Sequence, residues 1–330
     1  MSLRLSRIAV RPRQAGLTLI ELMVAMAIGL FLVLGTVAVY TQSKSSYRVS
    51  DGQARLQENL RFALDLMEPD IRLARFWGRH NEPALVTVPG GINVSCAGAN
   101  ATAMATAFNL VINAVDESVG YAAGVPCPPP SGARADSDVL IVRHASAQQT
   151  APAAGRLQVR SDLGLAQLFN NGANPGGFGP NAQTHDLVVN VYYVANGSDL
   201  DAQLPSLRRW TLDDNGNLVD EELIAGVENL QVQFGVDETG AGSVTRYVDG
   251  DDPIITPGAP GFLPNAEILA VRLWLLVRSY QPEPGFTDIA VYTPPDSDLG
   301  AINPGNAGYP ANVRRQLITK TINLRNNRVQ

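Results

Sequence analysis

Cysteine is nearly absent from this chain of 330 residues: it has two, Cys96 and Cys127. Two thiols in so long a chain exclude a disulfide-built scaffold, though they suffice for one bridge in an oxidising compartment. Histidine is almost as scarce. His80, His144 and His185 lie far apart and match no metal-ligand spacing. No G-x-S-x-G elbow, phosphate loop or H-E-x-x-H motif occurs. Gly172-Ala173-Asn174-Pro175-Gly176-Gly177 follows no clear strand and lacks a phosphate-loop lysine, so it reads as a loop. Without a catalytic constellation the chain reads as a non-enzyme, with no cofactor expected. An excess of positive charge is missing too: the formal charge of −6 argues against a general nucleic-acid binder. Aromatics are few at 6%, whereas 30 glycines and 22 prolines point to many turns. The hydrophobic share of 45% is enough for the core of one large domain or two modest ones.

The front of the chain is where composition becomes extreme. Residues 1–15 carry Arg4, Arg7, Arg11 and Arg13 and no acid; Gly16 follows, and Leu17 to Tyr40 then hold a single charge, Glu21. As a helix this stretch spans roughly 36 Å at about 1.5 Å per residue, enough for a bilayer core. The flanking arginines leave residues 1–16 in the cytoplasm and send the rest outward. An ordinary signal peptide explains the arginines, but the apolar run exceeds a usual h-region, although its far end offers small residues for cleavage. A plain signal anchor explains the length but not Glu21. A carboxylate in hydrocarbon costs a few kcal/mol and calls for a partner. A cut after Gly16 supplies one: the new amine at Leu17 stands four residues from Glu21, on the same helix face. It can pair with its own Glu21 or with that of a neighbouring subunit, and a charged pair inside a bundle of apolar helices acts as a register device.

Gly16-Leu17-Thr18-Leu19-Ile20-Glu21-Leu22 resembles the prepilin cleavage and N-methylation motif of type IV pilins and type II secretion pseudopilins. The resemblance implies cleavage after Gly16 by a prepilin peptidase, methylation of Leu17, and an assembly role for Glu21. Leu17 stands where the family usually has phenylalanine, and Ala38 stands where many major pilins carry a helix proline.

Beyond the apolar run, Leu56, Leu60, Ala63, Leu64, Met67 and Ile71 recur at steps of three and four, one stripe of an amphipathic helix docked on a sheet. Ser50-Asp51-Gly52 is expected to weaken or bend that helix, Pro69 to end or kink it, and Trp77-Gly78 to mark its exit. Residues 79–137 are rich in Ala, Gly, Pro and Asn. Cys96 and Cys127 bracket 30 of these residues, and in an outward-facing domain a disulfide is favoured over two buried thiols, with roughly 3–4 kcal/mol from loop entropy. From Asp138 on the chain reads as β, with strands expected at 138–144, 186–194, 207–212, 229–236, 268–279 and 317–324. Arg208-Arg209 and Arg314-Arg315 read as solvated surface. Asp237-Glu238-Thr239-Gly240-Ala241-Gly242, with Asp249 nearby, is read as an acidic hairpin turn; Asp237 and Asp249 stay as calcium candidates, although Thr and Ala stand where a calcium loop needs Asp or Asn.

The expected fold is therefore α+β, a long N-terminal helix packed on an antiparallel sheet. The chain divides into a leader (1–16), a membrane-spanning half-helix (17–40), an amphipathic half-helix (41–78) and a β-rich domain (79–330). The stretches 223–237, 270–279 and 314–326 resemble the PilW family of minor pilins. That resemblance implies a role in type IV pilus biogenesis, in a minor-pilin complex that primes the fibre and sits at its tip. It implies as partners the prepilin peptidase, other minor pilins, the major pilin and an inner-membrane assembly platform, with no nucleic acid. It places the protein in the inner membrane as a single-pass chain, N-terminus cytoplasmic and C-terminal domain periplasmic, extracellular once in a pilus. Two alternatives remain: a J-type minor pseudopilin of type II secretion, and a pilus-tip adhesin or binding module.

Overall fold

The computed structural model describes residues 16–81, 85–89, 92, 94–96, 99–101, 112–115, 132–256, 259–296 and 299–326. The chain falls into two compact units, residues up to Gly52 and residues from Gln53 onward.

The first unit is built on helix α1, which runs from Leu19 to Leu73 and enters the second. From Leu17 to Tyr40 its large apolar side chains are solvent-facing, Leu19 at 78% and Phe31 at 76%. Helical pairing is continuous across Ser50-Asp51-Gly52, so these residues do not end the helix. One glycine costs a helix only about 1 kcal/mol, which a long run of good helix formers absorbs. Pro69 does not end the helix either; one more turn follows, to Leu73. A helix-interior proline costs about 3 kcal/mol. Met67 and Ile71 on either side are fully buried, and each such side chain contributes roughly 1.5–3 kcal/mol, so packing outweighs the lost hydrogen bond. The chain leaves through Arg75, with a φ of 68°, and Gly78, with a φ of 84°. A Cβ on Gly78 would lie 2.4 Å from Ser161 Oγ and 2.9 Å from His185 Cδ2, so both conformation and space demand glycine there.

The second unit carries two sheets. The larger holds β1 (Val86–Thr87), β2 (Val94–Cys96), β3 (Ala99–Ala101), β4 (Ile112–Val115), β5 (Val139–Gln149), β6 (Ala154–Ser161), β7 (Ala166–Asn171), β8 (Gln183–Ala195), β9 (Ser206–Leu212) and β10 (Asn217–Ala225). It is mixed, not purely antiparallel, because β1 joins β7 and β2 joins β10 in parallel. The smaller sheet is antiparallel throughout, in the order β12 (Arg246–Asp249), β11 (Val227–Asp237), β13 (Glu267–Arg278), β14 (Arg315–Asn323). All six expected strands are present within a few residues of their expected ends. Gly226, with a φ of 87°, turns the chain from β10 in one sheet to β11 in the other; a Cβ there would meet Arg278 O at 2.8 Å.

The helix stripe is buried as its periodicity predicts. Leu56, Leu60, Ala63, Leu64, Met67 and Ile71 pack with Leu140, Tyr192 and Leu207 of the larger sheet and with Leu230, Phe234, Leu273 and Ile322 of the smaller. A second core around Trp77, Ile141, Val159, Val189 and Trp210 covers the other face of the larger sheet. A small third one joins Trp274 and Leu276 to Ile302 and Tyr309.

Candidate functional site

The residues expected to be processed, Gly16 and Leu17, and the carboxylate expected to act in assembly, Glu21, share one short stretch. Gly16, Leu17 and Thr18 precede the helix and are exposed. The Glu21 carboxylate accepts from the Thr18 backbone N–H and from its hydroxyl, each at 2.9 Å, and the Glu21 N–H donates to Thr18 Oγ1 at 3.3 Å. This is a capping box, with threonine at the N-cap and glutamate at N3. It starts the helix and sets a negative charge against the positive end of the helix dipole. Reasoning from spacing paired Glu21 with an amine at Leu17 and missed this local partner. The signal was present as Thr18-x-x-Glu21, the capping-box pattern ahead of an apolar run.

In the second unit, polar side chains tie the end of α1 to the sheets. Asp70 lies under the helix, where its carboxylate accepts from Asn190 Nδ2 and the Tyr192 hydroxyl of β8. His144 Nε2 of β5 stands 3.5 Å from its other oxygen. Burial works against the Asp70 charge, but His144, Tyr192 and Asn190 outweigh it and hold the carboxyl below its ordinary range. Because the folded pKa is depressed, the stabilisation is complete above the unfolded value of about 4 and is lost as pH falls through the folded one. Asp70→Asn is therefore expected to lower the melting temperature at pH 7, by the equivalent of about 1–3 kcal/mol, and to cost progressively less below pH 4. Equal penalties at pH 7 and pH 3 would contradict the charged role.

The arginine pairs differ from expectation. Arg208 is not solvated: its guanidinium contacts Asp199 at 3.0 Å, Asp220 at 2.8 Å and Glu222 at 3.0 Å with its side chain 9% exposed. Arg209 pairs with Glu221 at 2.8 Å, and Arg314 forms a two-pronged pair with Glu283 at 2.6 and 3.1 Å. The Arg315 side chain is fully buried. It makes a two-pronged pair with the equally buried Glu228, at 2.6 and 3.1 Å, and reaches Asp288 at 3.0 Å and Pro310 O at 2.8 Å. The acidic partners come from distant parts of the chain, so adjacency in sequence could not reveal them. An open cleft of about 330 Å³ lies beside this cluster, lined among others by Gln53, Gln57, Phe286, Tyr292 and Gln316. The charges at its wall, Arg314, Arg315 and Asp288, are spent on each other and on their neighbours.

The two calcium candidates do not converge. Asp249 stands across the β11–β12 hairpin from Gln233, whose amide donates to it at 2.8 Å. The Asp237 carboxylate is taken up by its own turn, accepting from the N–H groups of Thr239 and Gly240 at 2.9 Å each and of Gly242 at 2.5 Å. Burial opposes that charge, yet these donors hold the carboxyl down at about 2. Among the described residues no group of three or more His, Cys, Asp or Glu side chains is arranged to hold a metal. The histidines are placed separately: His144 Nδ1 lies 2.8 Å from Ala145 O, His185 Nδ1 2.8 Å from Ser146 O, and His80 is buried by the helix exit. Cys96 ends β2, while Cys127 lies outside the described residues, and with it the expected disulfide.

Comparison with known proteins gives two family matches. Residues 191–326 match the family described as Type IV Pilus-assembly protein W, and residues 11–37 match the prokaryotic N-terminal methylation motif. The first begins inside β8 and takes in the whole smaller sheet; the second contains Gly16, Leu17 and the capping box. No curated protein matches the chain. Among solved structures, a type IV-like pilin from Thermus thermophilus is similar, with 13% identity, 83% of this chain and 98% of that chain covered, and a TM-score of 0.34. A methylation motif thus opens the first helix, and the smaller sheet lies within the segment that matches the Type IV Pilus-assembly protein W family.

Proposed function

We propose that the chain is a minor pilin of type IV pilus biogenesis, made as a membrane-anchored precursor and drawn into the fibre by its first helix. The observation that carries this reading is Glu21. It is the one charge between Leu17 and Tyr40, it sits in the first turn of an uncovered apolar helix, and it shares a chain with the PilW segment. In the uncut chain Thr18 satisfies the carboxylate, which lowers the cost of holding it near hydrocarbon. A prepilin peptidase cuts after Gly16 and methylates Leu17, and the new amine gives Glu21 of a neighbouring subunit a charged partner. The leader stays cytoplasmic, the apolar half of α1 rests in the inner membrane, and the sheets face the periplasm until the pilus carries them outside. There the chain joins other minor pilins in the complex that primes the fibre, on the inner-membrane platform that adds the major pilin.

Intact mass with and without the prepilin peptidase tests this. The expected product begins at Leu17, carries one added methyl, and disappears without the peptidase. A species that keeps residues 1–16 in both strains would mean a plain signal anchor. Alkylation before reduction, read in the same spectra, is expected to modify neither Cys96 nor Cys127; two modified thiols would refute the disulfide. Deletion of the gene is expected to remove pili; loss of type II secretion with pili intact would favour the pseudopilin reading.

A further inference from the structure

Strand β14 closes one edge of the smaller sheet. Its pairing with β13 runs unbroken from Arg278↔Arg315 to Ala270↔Asn323, with no bulge. The Leu324 N–H donates to Leu269 O at 2.9 Å, and the Ser279 N–H donates to Arg314 O at 2.8 Å. Hydrogen-bonded pairs alternate along an antiparallel ladder, so the even-numbered residues of β14 spend their backbone groups on β13. Leu317, Thr319 and Thr321 turn theirs to the far side, where no strand follows among the described residues.

Sheet edges of this kind are normally protected by shortness, bulges, prolines or unpaired charges. The other terminal strands here follow that rule. β1 has two residues, β3 three, and β4 and β12 four each, and β12 carries Arg246 and Asp249. β14 has nine residues and no proline. Its lysine, Lys320, is held by Glu68 of the helix, and the Arg315 side chain is buried. The side chains it shows to solvent, Leu317, Thr319, Thr321 and Asn323, are uncharged.

We propose that this edge receives an extended segment of another pilin subunit, which adds a fifth strand to the sheet. A row of backbone donors and acceptors at strand spacing is matched by another extended backbone, and the uncharged outer face suits a segment of apolar and hydroxyl side chains. The inference rests on the assembly reading above and names the surface through which it acts.

A photo-cross-linking residue in place of Thr319, in full-length protein in piliated cells, should form an adduct with an extended segment of a different chain bearing the prepilin motif. An adduct with lipid or with a second copy of this chain, or no adduct, overturns the proposal. Thr319→Pro removes one N–H that β13 does not use, and an outward-facing edge position tolerates proline. This variant should keep its melting temperature while its amount in sheared pili falls at least about tenfold, the scale of one lost backbone hydrogen bond. Thr319→Lys, which leaves the backbone intact, should show the same loss. Ile318→Pro breaks the ladder and marks what unfolding looks like. Wild-type amounts of both Thr319 variants in pili overturn the proposal. Intact mass of the same samples separates the two levels: a chain never cut before Leu17 means that the assembly reading has failed, not the edge.

Discussion

Glu21→Ala is expected to leave cleavage after Gly16 largely intact and to remove the protein from assembled fibres. The peptide bond proposed for cleavage lies outside the helix, and Gly16, Leu17 and Thr18 are exposed. In the proposed mechanism assembly depends on the carboxylate. With the leader cut away, each subunit would bring an amine into an apolar bundle, and an amine without its partner there costs about 3–5 kcal/mol. That corresponds to a hundredfold or greater loss of incorporation. The capping box offers a competing explanation, because alanine also removes the group that satisfies the Thr18 N–H. Glu21→Gln separates the two. Glutamine serves at N3 of a capping box but carries no charge, so Glu21→Gln should fail in assembly as alanine does. If glutamine restores piliation, Glu21 acts by starting the helix; if alanine pilates normally, the pairing argument is wrong.

Arg315→Ala is expected to be the most destabilising single change in the sheet domain. The guanidinium is fully buried and satisfies Glu228, Asp288 and the Pro310 carbonyl together. Its removal leaves the Glu228 carboxylate, also fully buried, with Arg278 at 3.8 Å as its one remaining ion pair among the described residues. Breaking a buried pair from one side costs about 3–5 kcal/mol, and at about 2–4 °C per kcal/mol the melting temperature should fall by roughly 10 °C. Arg315→Met with Glu228→Leu should recover most of the loss, because what destabilises is the orphaned charge. A drop of under about 2 °C for Arg315→Ala would show that Arg278 and solvent replace the pair.

Legibility in the sequence follows the range of the interaction. The stripe from Leu56 to Ile71 was readable because helical periodicity is local, and every member is buried. The strands with strong β-branched or aromatic content were readable for the same reason. β6 and β7 lie outside the expected strands: they are short of such residues, and they form because neighbours supply the pairing. The Thr18–Glu21 capping box is written in four consecutive positions, but the same carboxylate also fits a partner from another chain, so spacing does not single out the local one.

The sequence by itself determined the character of residues 1–73: arginines without an acid, a glycine, a membrane-length apolar helix with one carboxylate in its first turn, and an amphipathic continuation. Each of these is a matter of composition and of spacing within a turn or two of helix. Only the tertiary structure decided that Arg208 and Arg315 are buried ion-pair centres, that Asp70 fastens the helix to β8, and that β14 pairs on one side alone among the described residues. Those facts depend on residues brought together across the fold, as with Arg315 and Glu228, 87 positions apart. Burial and pairing of a charge are properties of its surroundings, and in a sheet those surroundings come from strands distant in the chain.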